Sequence, residues 1–207
     1  MFQITAIKPQ EKRKNRFNVY LDGHFGFALG NELLAKKGLK VGQELSPQMV
    51  EELTSQDRLN NARDGVYHFL SYRPRSEKEI RDYLKKKELK EEEKEKIIKN
   101  LREEKLIDDL EFAHWFLEQR QNFHPKGNYA LRQELRQKGI DQKTIDQVLL
   151  TKKEELKLAK KVLAKAEKKY ASLSGREKKG KLMAYLLRRG FSWEAVKKAV
   201  DEKGKNG

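Results

Sequence analysis

The sequence has no cysteine, only four prolines in 207 residues, and no run approaching 18 consecutive apolar positions. Each absence excludes something. Without thiols there is no disulfide framework and no cysteine-ligated zinc, a usage that fits a reducing compartment. No segment has the length and apolarity of a membrane-spanning helix, and Met1, Phe2, Gln3, Ile4 and Thr5 show no charged region ahead of an apolar one, as a secretory leader would. A cytoplasmic protein is therefore expected. Mean hydropathy is low, at −0.94, yet Leu, Ile, Val and Phe supply 51 residues, more than disordered chains carry. A thin core in an elongated series of small units is expected, in place of one thick globule.

What is abundant is positive charge: 47 Lys and Arg against 32 Asp and Glu, a net charge of +15. Its distribution is uneven. Residues 1–57 carry 8 basic and 7 acidic side chains, residues 58–108 carry 15 and 12, and residues 109–151 carry 6 and 6. Residues 152–207 carry 18 and 7, so the last quarter holds +11 of the total. Such a surface attracts polyanions through counterion release and long-range steering. Salt sensitivity is expected to reside in residues 152–207, which truncation after Leu150 would test.

The first 45 residues alternate apolar and polar positions, with Phe2 and Ile4, then Phe17, Val19 and Leu21, then Phe25, Phe27 and Leu29 around Asp22-Gly23, a hairpin signal. A two-residue turn would pair Tyr20 with Phe25 and Val19 with Gly26, splitting the apolar residues between faces. A three-residue loop, Leu21 to Gly23, is expected instead, placing Phe17, Val19, Phe25, Phe27 and Leu29 on one face. A short helix from Asn31 to Lys37 closes at Gly38, and Ser46-Pro47 caps the next. Beyond it the apolar period is three and four, and helix starts are marked by Ser76 with Glu79, Asp108 with Glu111, Asp141 and Ser192. On the Lys-rich stretch that follows, Leu156, Ala159, Leu163, Ala166 and Tyr170 make a core stripe.

An internal repeat organises the helical part. Ile80, Leu131 and Leu182 lie 51 residues apart, as do Leu84, Leu135 and Leu186, Leu89, Ile140 and Phe191, Ile97, Val148 and Ala199, and Ile98, Leu149 and Val200. Gly139 matches Gly190 where a helix must stop, with Glu88 in the first copy. Three tandem three-helix repeats in an elongated curved array follow, preceded by a small antiparallel β hairpin-containing region: a mainly α fold. The divisions expected are residues 1–45, 46–107, 108–151 and 152–207.

Catalytic chemistry finds no support. Gly175 to Lys181 spells G-x-x-x-x-G-K, but Leu182 stands where Ser or Thr should hold magnesium and no strand precedes it. Ser174 and Gly175 read instead as a turn between helices, with Leu182 in the core. His24, His68, His114 and His124 have no ligand spacing, and Asp108, Asp109 and Glu111 read as helix caps. Asp82 and Glu134 read as solvated ion pairs. No nucleophile has a base and an orienting acid, so neither enzyme activity, cofactor nor metal is expected. Tyr72, Tyr83, Tyr129 and Trp193 are expected mostly in the core. The candidate binding surface comprises Arg73, Arg75 and Arg81, then Lys126, Arg132 and Arg136, then Lys178, Lys179, Lys181, Arg188 and Arg189.

Three runs together resemble one family: Tyr72-Arg-Pro-Arg-Ser-Glu-Lys-Glu-Ile-Arg-Asp-Tyr-Leu84; Leu106-Ile-Asp-Asp-Leu-Glu-Phe-Ala113 with Trp115; and Lys126-Gly-Asn-Tyr-Ala-Leu-Arg-Gln-Glu-Leu-Arg-Gln-Lys-Gly-Ile140. In this order they resemble the RecX family of recombination regulators, and Tyr20-Leu-Asp-Gly23 resembles the amino-terminal extension of some members. The resemblance implies a bacterial cytoplasmic monomer of three-helix units that binds the RecA recombinase filament in its groove. It implies restraint of filament growth, ATP hydrolysis and strand exchange, with weak binding of single- and double-stranded DNA and no membrane partner. The competing expectation is a stand-alone DNA-binding protein whose units insert helices as helix-turn-helix modules do.

Overall fold

The computed structural model describes residues 1–173 and 175–203, the side chain of Lys203 excepted. Strands β1 (Phe2–Pro9), β2 (Arg16–Leu21), β3 (His24–Gly30) and β4 (Glu44–Leu45) form an antiparallel sheet in the order β3-β2-β1-β4. Helices α1 (Asn31–Lys36) and α2 (Pro47–Ser71) accompany it. Then come α3 (Glu77–Leu84), α4 (Glu91–Glu103), α5 (Asp109–Phe123), α6 (Asn128–Gln137), α7 (Gln142–Val148), α8 (Lys152–Lys169), α9 (Gly175–Arg188) and α10 (Trp193–Lys203). The protein is thus mainly helical, with three three-helix repeats after a β-rich start. The chain divides into two compact units, Met1–Arg73 with Arg81–Asn100, and Pro74–Ile80 with everything from Leu101 on, so the boundary runs within α3.

In the first unit, the β2–β3 turn corrects the expected register. Tyr20 pairs with Phe25 and Leu21 with His24 around a two-residue Asp22-Gly23 turn in which both residues have positive φ. The register then shifts at Gly26, so that Val19 pairs with Phe27 and Phe17 with Leu29. A bulge two pairs away from the turn therefore brings Val19, Phe27 and Leu29 to one face, as the longer loop was expected to do, but not Phe25. Val19, Phe27 and Leu29 are buried with Ile4, Leu21 and Leu45, but Phe25 is left 59% exposed. Gly26 fits because a Cβ there would stand 2.7 Å from Leu21 Cγ.

The sheet is fastened to α2 by the buried Asp57. Its carboxylate accepts from the Gly30 amide at 2.8 Å, from Arg16 at 2.7 Å and from Asn61 at 2.6 Å, so the buried charge is both paired and hydrogen-bonded. Farther along, Tyr83 stacks on Phe69 with ring centres 5.2 Å apart, and Gly65 leaves room for its hydroxyl.

The 51-residue period appears in the helix boundaries: α3 and α6 begin at Glu77 and Asn128, and α4, α7 and α10 at Glu91, Gln142 and Trp193. Most residues of the predicted columns are buried, Leu89 and Leu149 only partly. The first helices keep the period between copies one and two, where Ala62 matches Ala113 and Val66 matches Leu117, all buried. In copy three they slip. Ala159, Val162 and Leu163 occupy the core positions of Ala113, Phe116 and Leu117 at an offset of 46, so five more residues separate the first and second helices there.

Within the second unit the copies join by a recurring device. The amide of Glu77, at the start of α3, donates to the Asp109 carboxylate at 2.9 Å, and that of Asn128, at the start of α6, donates to Glu155 at 2.9 Å. Asp109 and Glu155 are the equivalent residues of α5 and α8 in the 46-residue register. A carboxylate from each following copy thereby caps a helix of the preceding one, completing orphan amides and favouring the positive end of its dipole. The other half of the joint is the helix stop of the following copy. Lys138 O accepts from the buried Ser76 hydroxyl at 2.8 Å, and Arg189 O from the Gly127 amide at 3.0 Å.

The two joints differ at one position. Ser192 donates its hydroxyl to Glu155 at 2.7 Å, whereas its counterpart 51 residues earlier is Asp141. Burial lifts the Asp109 carboxyl above its ordinary value, with Glu77, Asp108 and Asp141 charges adding to the rise and the Glu77 amide opposing it. A raised carboxyl pKa favours the folded state fully below the unfolded value, 3.8, and that contribution is lost as pH rises through the folded value. At neutral pH ionised Asp109 therefore opposes folding. Asp109→Asn keeps an acceptor for Glu77 and should raise the thermal midpoint relative to the parent at pH 7, the advantage shrinking toward pH 3.5. A lower midpoint at pH 7 would show that the charge on the helix terminus outweighs its burial.

Candidate polyanion-binding surface

The structure separates the eleven predicted cations into those engaged inside the fold and those open to solvent. Arg81 on α3 makes a two-pronged pair with Glu95 on α4, and 51 residues later Arg132 on α6 donates to Asp146 on α7 at 2.7 Å. The same bridge thus ties second to third helix in two copies. In the third, Met183 and Lys197 take those positions. The Asp146 carboxyl lies below its ordinary value because Gln142 and Arg132 hydrogen-bond it. Arg136 donates to Gln142 at 2.7 Å. Lys126 pairs with Glu134, which also accepts from Arg120 at 2.8 Å.

In copy three, Lys179 reaches Asp201 at 2.8 Å. Arg189 lies over the Tyr185 ring, 4.6 Å from its centre, and donates to Pro125 O at 3.3 Å, which makes it part of the joint. Lys178 is half-buried, and Lys181 and Arg188 are exposed; none of these three forms an ion pair among the described residues. Arg73 and Arg75 are half-buried on the connection between α2 and α3 and have interactions of their own. The structure therefore brings Lys178, Lys181 and Arg188 together on one helix but engages most of the other candidates in holding the repeats.

A denser cationic face was missed. Lys153, Lys157, Lys161, Lys165 and Lys168 stand at spacings of four, four, four and three on α8, all exposed and none ion-paired among the described residues. Four residues advance the helix by about 6 Å and 40°, so the five make one gently winding stripe about 22 Å long. The opposite side of α8 carries Ala159, Val162, Leu163 and Ala166 into the core of copy three. Lys152 and Lys160 flank the stripe but are paired with Glu194 and Glu202. Glu154, next to Lys153, turns back into a capping box with Thr151, which holds its carboxyl below the ordinary value. The stripe is therefore a run of five lysines without an acid partner among the described residues. The lysine spacing was available in the sequence as the complement of the apolar stripe.

Three of the four aromatics expected in the core lie outside it: Tyr72 is 70% exposed, Tyr129 68% and Trp193 59%, and only Tyr83 packs inward. Each of the three sits at a helix terminus, where the period of the helix no longer dictates a face. The Gly175–Lys181 segment forms the first turns of α9, behind helix α8 and not a strand, and Leu182 is buried in the core. Ser174 lies outside the described residues. Among the described residues, no group of three His, Asp or Glu is placed to hold a metal, and no helix is long and apolar enough to cross a membrane.

Comparison with known proteins places each part of the chain. Family models match in order: the regulatory protein RecX N-terminal domain at residues 2–46, and the first, second and third RecX three-helix domains at residues 62–101, 108–149 and 153–200. The chain is 35% identical over 201 residues to the regulatory protein RecX of Bacillus velezensis, and equally to that of Bacillus subtilis. In each case 96% of this chain and 76% of the relative are covered. A crystal structure of regulatory protein RecX superposes with a TM-score of 0.67 at 33% identity, covering 97% of this chain and all of the other. That of RecX from Lactobacillus salivarius gives 0.65 at 27% identity, covering 71% and 97%. With its β-rich start and all three helical domains matched in sequence order, this chain belongs to the RecX family of regulatory proteins.

Proposed function

We propose that this protein regulates homologous recombination by binding the RecA nucleoprotein filament and inhibiting its extension, ATP hydrolysis and strand exchange. The observation that carries this reading is membership of the RecX family over nearly the whole chain. The physical fit lies in copy three: an uncompensated lysine stripe suits phosphate oxygens or acidic side chains, and steers association from a distance. Engagement of Arg81, Arg132 and Lys126 by carboxylates supports a division in which the earlier copies supply shape and specific contacts while the third supplies charge. The protein acts without a cofactor, as a cytoplasmic monomer, and binds single- and double-stranded DNA weakly when RecA is absent.

DNA-dependent ATP hydrolysis by RecA, followed while this protein is titrated in at physiological salt, tests the reading. Inhibition should approach completion near stoichiometry with filament-bound RecA. Hydrolysis that continues unchanged at that ratio would reject it. Tight binding to naked duplex under the same conditions would favour the stand-alone DNA-binding reading, which the lysine stripe also supports. Such binding should fall by roughly a thousandfold between low and physiological salt if several phosphates are neutralised.

A further inference from the structure

Two large aromatic side chains are left almost fully in solvent at equivalent points of the repeat. Tyr72 is 70% exposed and Phe123 71%. They lie 51 residues apart, each at the end of its copy's first helix, and each introduces an aromatic-basic-proline-basic run if histidine counts as basic: Tyr72-Arg-Pro-Arg75 and Phe123-His-Pro-Lys126. Packing does not call for them. The buried partners of that register are Ala62 with Ala113 and Val66 with Leu117, and neither ring joins them in the core.

We propose that Tyr72 and Phe123 are equivalent anchor residues for a protein partner that itself repeats, namely successive RecA subunits of the filament. This rests on the reading given under Proposed function and names contacts for it. Aromatic side chains inserted into a partner's pockets dominate protein interfaces, because they bury much area with few rotatable bonds. Tyr72 is already arranged for that role. His68 one turn earlier packs edge-on against its ring, with centres 4.9 Å apart at 71°, and the hydroxyl lies 2.9 Å from His68 Nε2. The rotamer is thereby held before binding, which lowers the entropy lost on docking.

At the Phe123 corner a protein fits better than nucleic acid. Base stacking on exposed aromatics works with free cations beside them for the phosphates, but Lys126 is held by Glu134, which also engages Arg120. The Phe123 corner therefore offers an apolar ring with little unbalanced charge. Copy three lacks the corner. Tyr170, which ends its first helix, is half-buried against the core, its ring 6.3 Å from that of Tyr185, and the five additional residues follow. The aromatic anchors thus belong to copies one and two, and the lysine stripe to copy three.

The test uses the full chain, with Tyr72→Ala, Phe123→Ala, the double variant and Tyr72→Phe. Binding is read by co-sedimentation with RecA filaments assembled on single-stranded DNA with a non-hydrolysable ATP analogue. The same preparations are titrated onto a labelled naked duplex. Each alanine substitution should weaken filament binding about fivefold or more, the usual scale of an interface anchor, and the double variant should lose more than either. Tyr72→Phe, which keeps the ring but loses the hydroxyl contact with His68, should fall between the parent and Tyr72→Ala, and affinity for naked duplex should not move. Thermal midpoints should remain at the parental value, since both rings are exposed. A double variant that binds filaments as the parent does overturns this inference alone. Parallel loss of duplex binding overturns it in favour of nucleic-acid contacts. A parent chain that does not sediment with filaments overturns both this inference and the reading beneath it.

Discussion

Glutamine at Lys153, Lys157, Lys161, Lys165 and Lys168 should flatten the salt dependence of nucleic-acid binding by about 4.5 units in the slope of log affinity against log salt, if each lysine neutralises one phosphate of duplex DNA. The reasoning is local. These five are exposed and have no carboxylate partner among the described residues, so removing them leaves no unpaired acid behind. Glutamine is close to lysine in helix propensity, and the α8 core of Ala159, Val162, Leu163 and Ala166 is untouched. The fold should persist while affinity at low salt falls by orders of magnitude. A slope equal to that of the parent would place the phosphate contacts off α8, with Lys178, Lys181 and Arg188 next in line.

This set also separates electrostatics from architecture better than variants chosen from the sequence alone. Reversing Lys178, Lys179, Lys181, Arg188 and Arg189 together would remove the Lys179–Asp201 pair and place an acid where Arg189 donates to Pro125 O. Loss of binding in that variant would confound contact with folding. Truncation after Leu150 has the same weakness. It would delete Glu155 and Ser192, leaving the Asn128 amide without its acceptor and Gly127 without the backbone of Arg189 to donate to. Five lysine substitutions leave all of these in place.

Much of the fold was legible because repetition makes one pattern confirm another. The 51-residue columns run through the second and third helices, whose starts keep the period except at α9, and Gly139 and Gly190 identified stops that positive φ requires. The misses have physical reasons. The hairpin register could not be read from alternation, since a bulge at Gly26 restores the faces two pairs beyond the turn. The first helix of copy three escaped the period because five additional residues precede α9, shifting Ala159 and Leu163 out of step with Ala113 and Leu117. For the candidate surface, recurrence of Arg81 at Arg132 suggested binding. The structure shows recurrence of their acid partners too, Glu95 and Asp146, which marks a repeated brace. Asp109 read as a helix cap, and nothing in the sequence singled out Glu155; their role across the joints depends on residues 32 and 27 positions away.

The second joint should be the most sensitive point in the helical array, and Gly127→Ala should reveal it. A Cβ on Gly127 would drive into the backbone of Gly190 and Phe191, and one on Gly190 into Ala130. Neither obstacle is the free end of a side chain that could swing away. Gly190 also has φ of +77°, so alanine there meets strain of about 1–2 kcal/mol before any clash. Overpacking a fixed interface adds about 1–3 kcal/mol. Gly127→Ala should therefore cost about 1–3 kcal/mol and Gly190→Ala about 2–5 kcal/mol, each kcal/mol lowering the thermal midpoint by roughly 2–4 °C for a chain of this length. Gly180→Ala provides the contrast. It lies inside α9 with nothing within 4 Å of a new Cβ, and should gain about 0.5–1 kcal/mol from helix propensity. If Gly127→Ala and Gly180→Ala melted alike, the close approach of α6 to the α9 stop would not govern stability. If they part as expected, the rigidity that carries the lysine stripe rests on a glycine with no charge and no side chain.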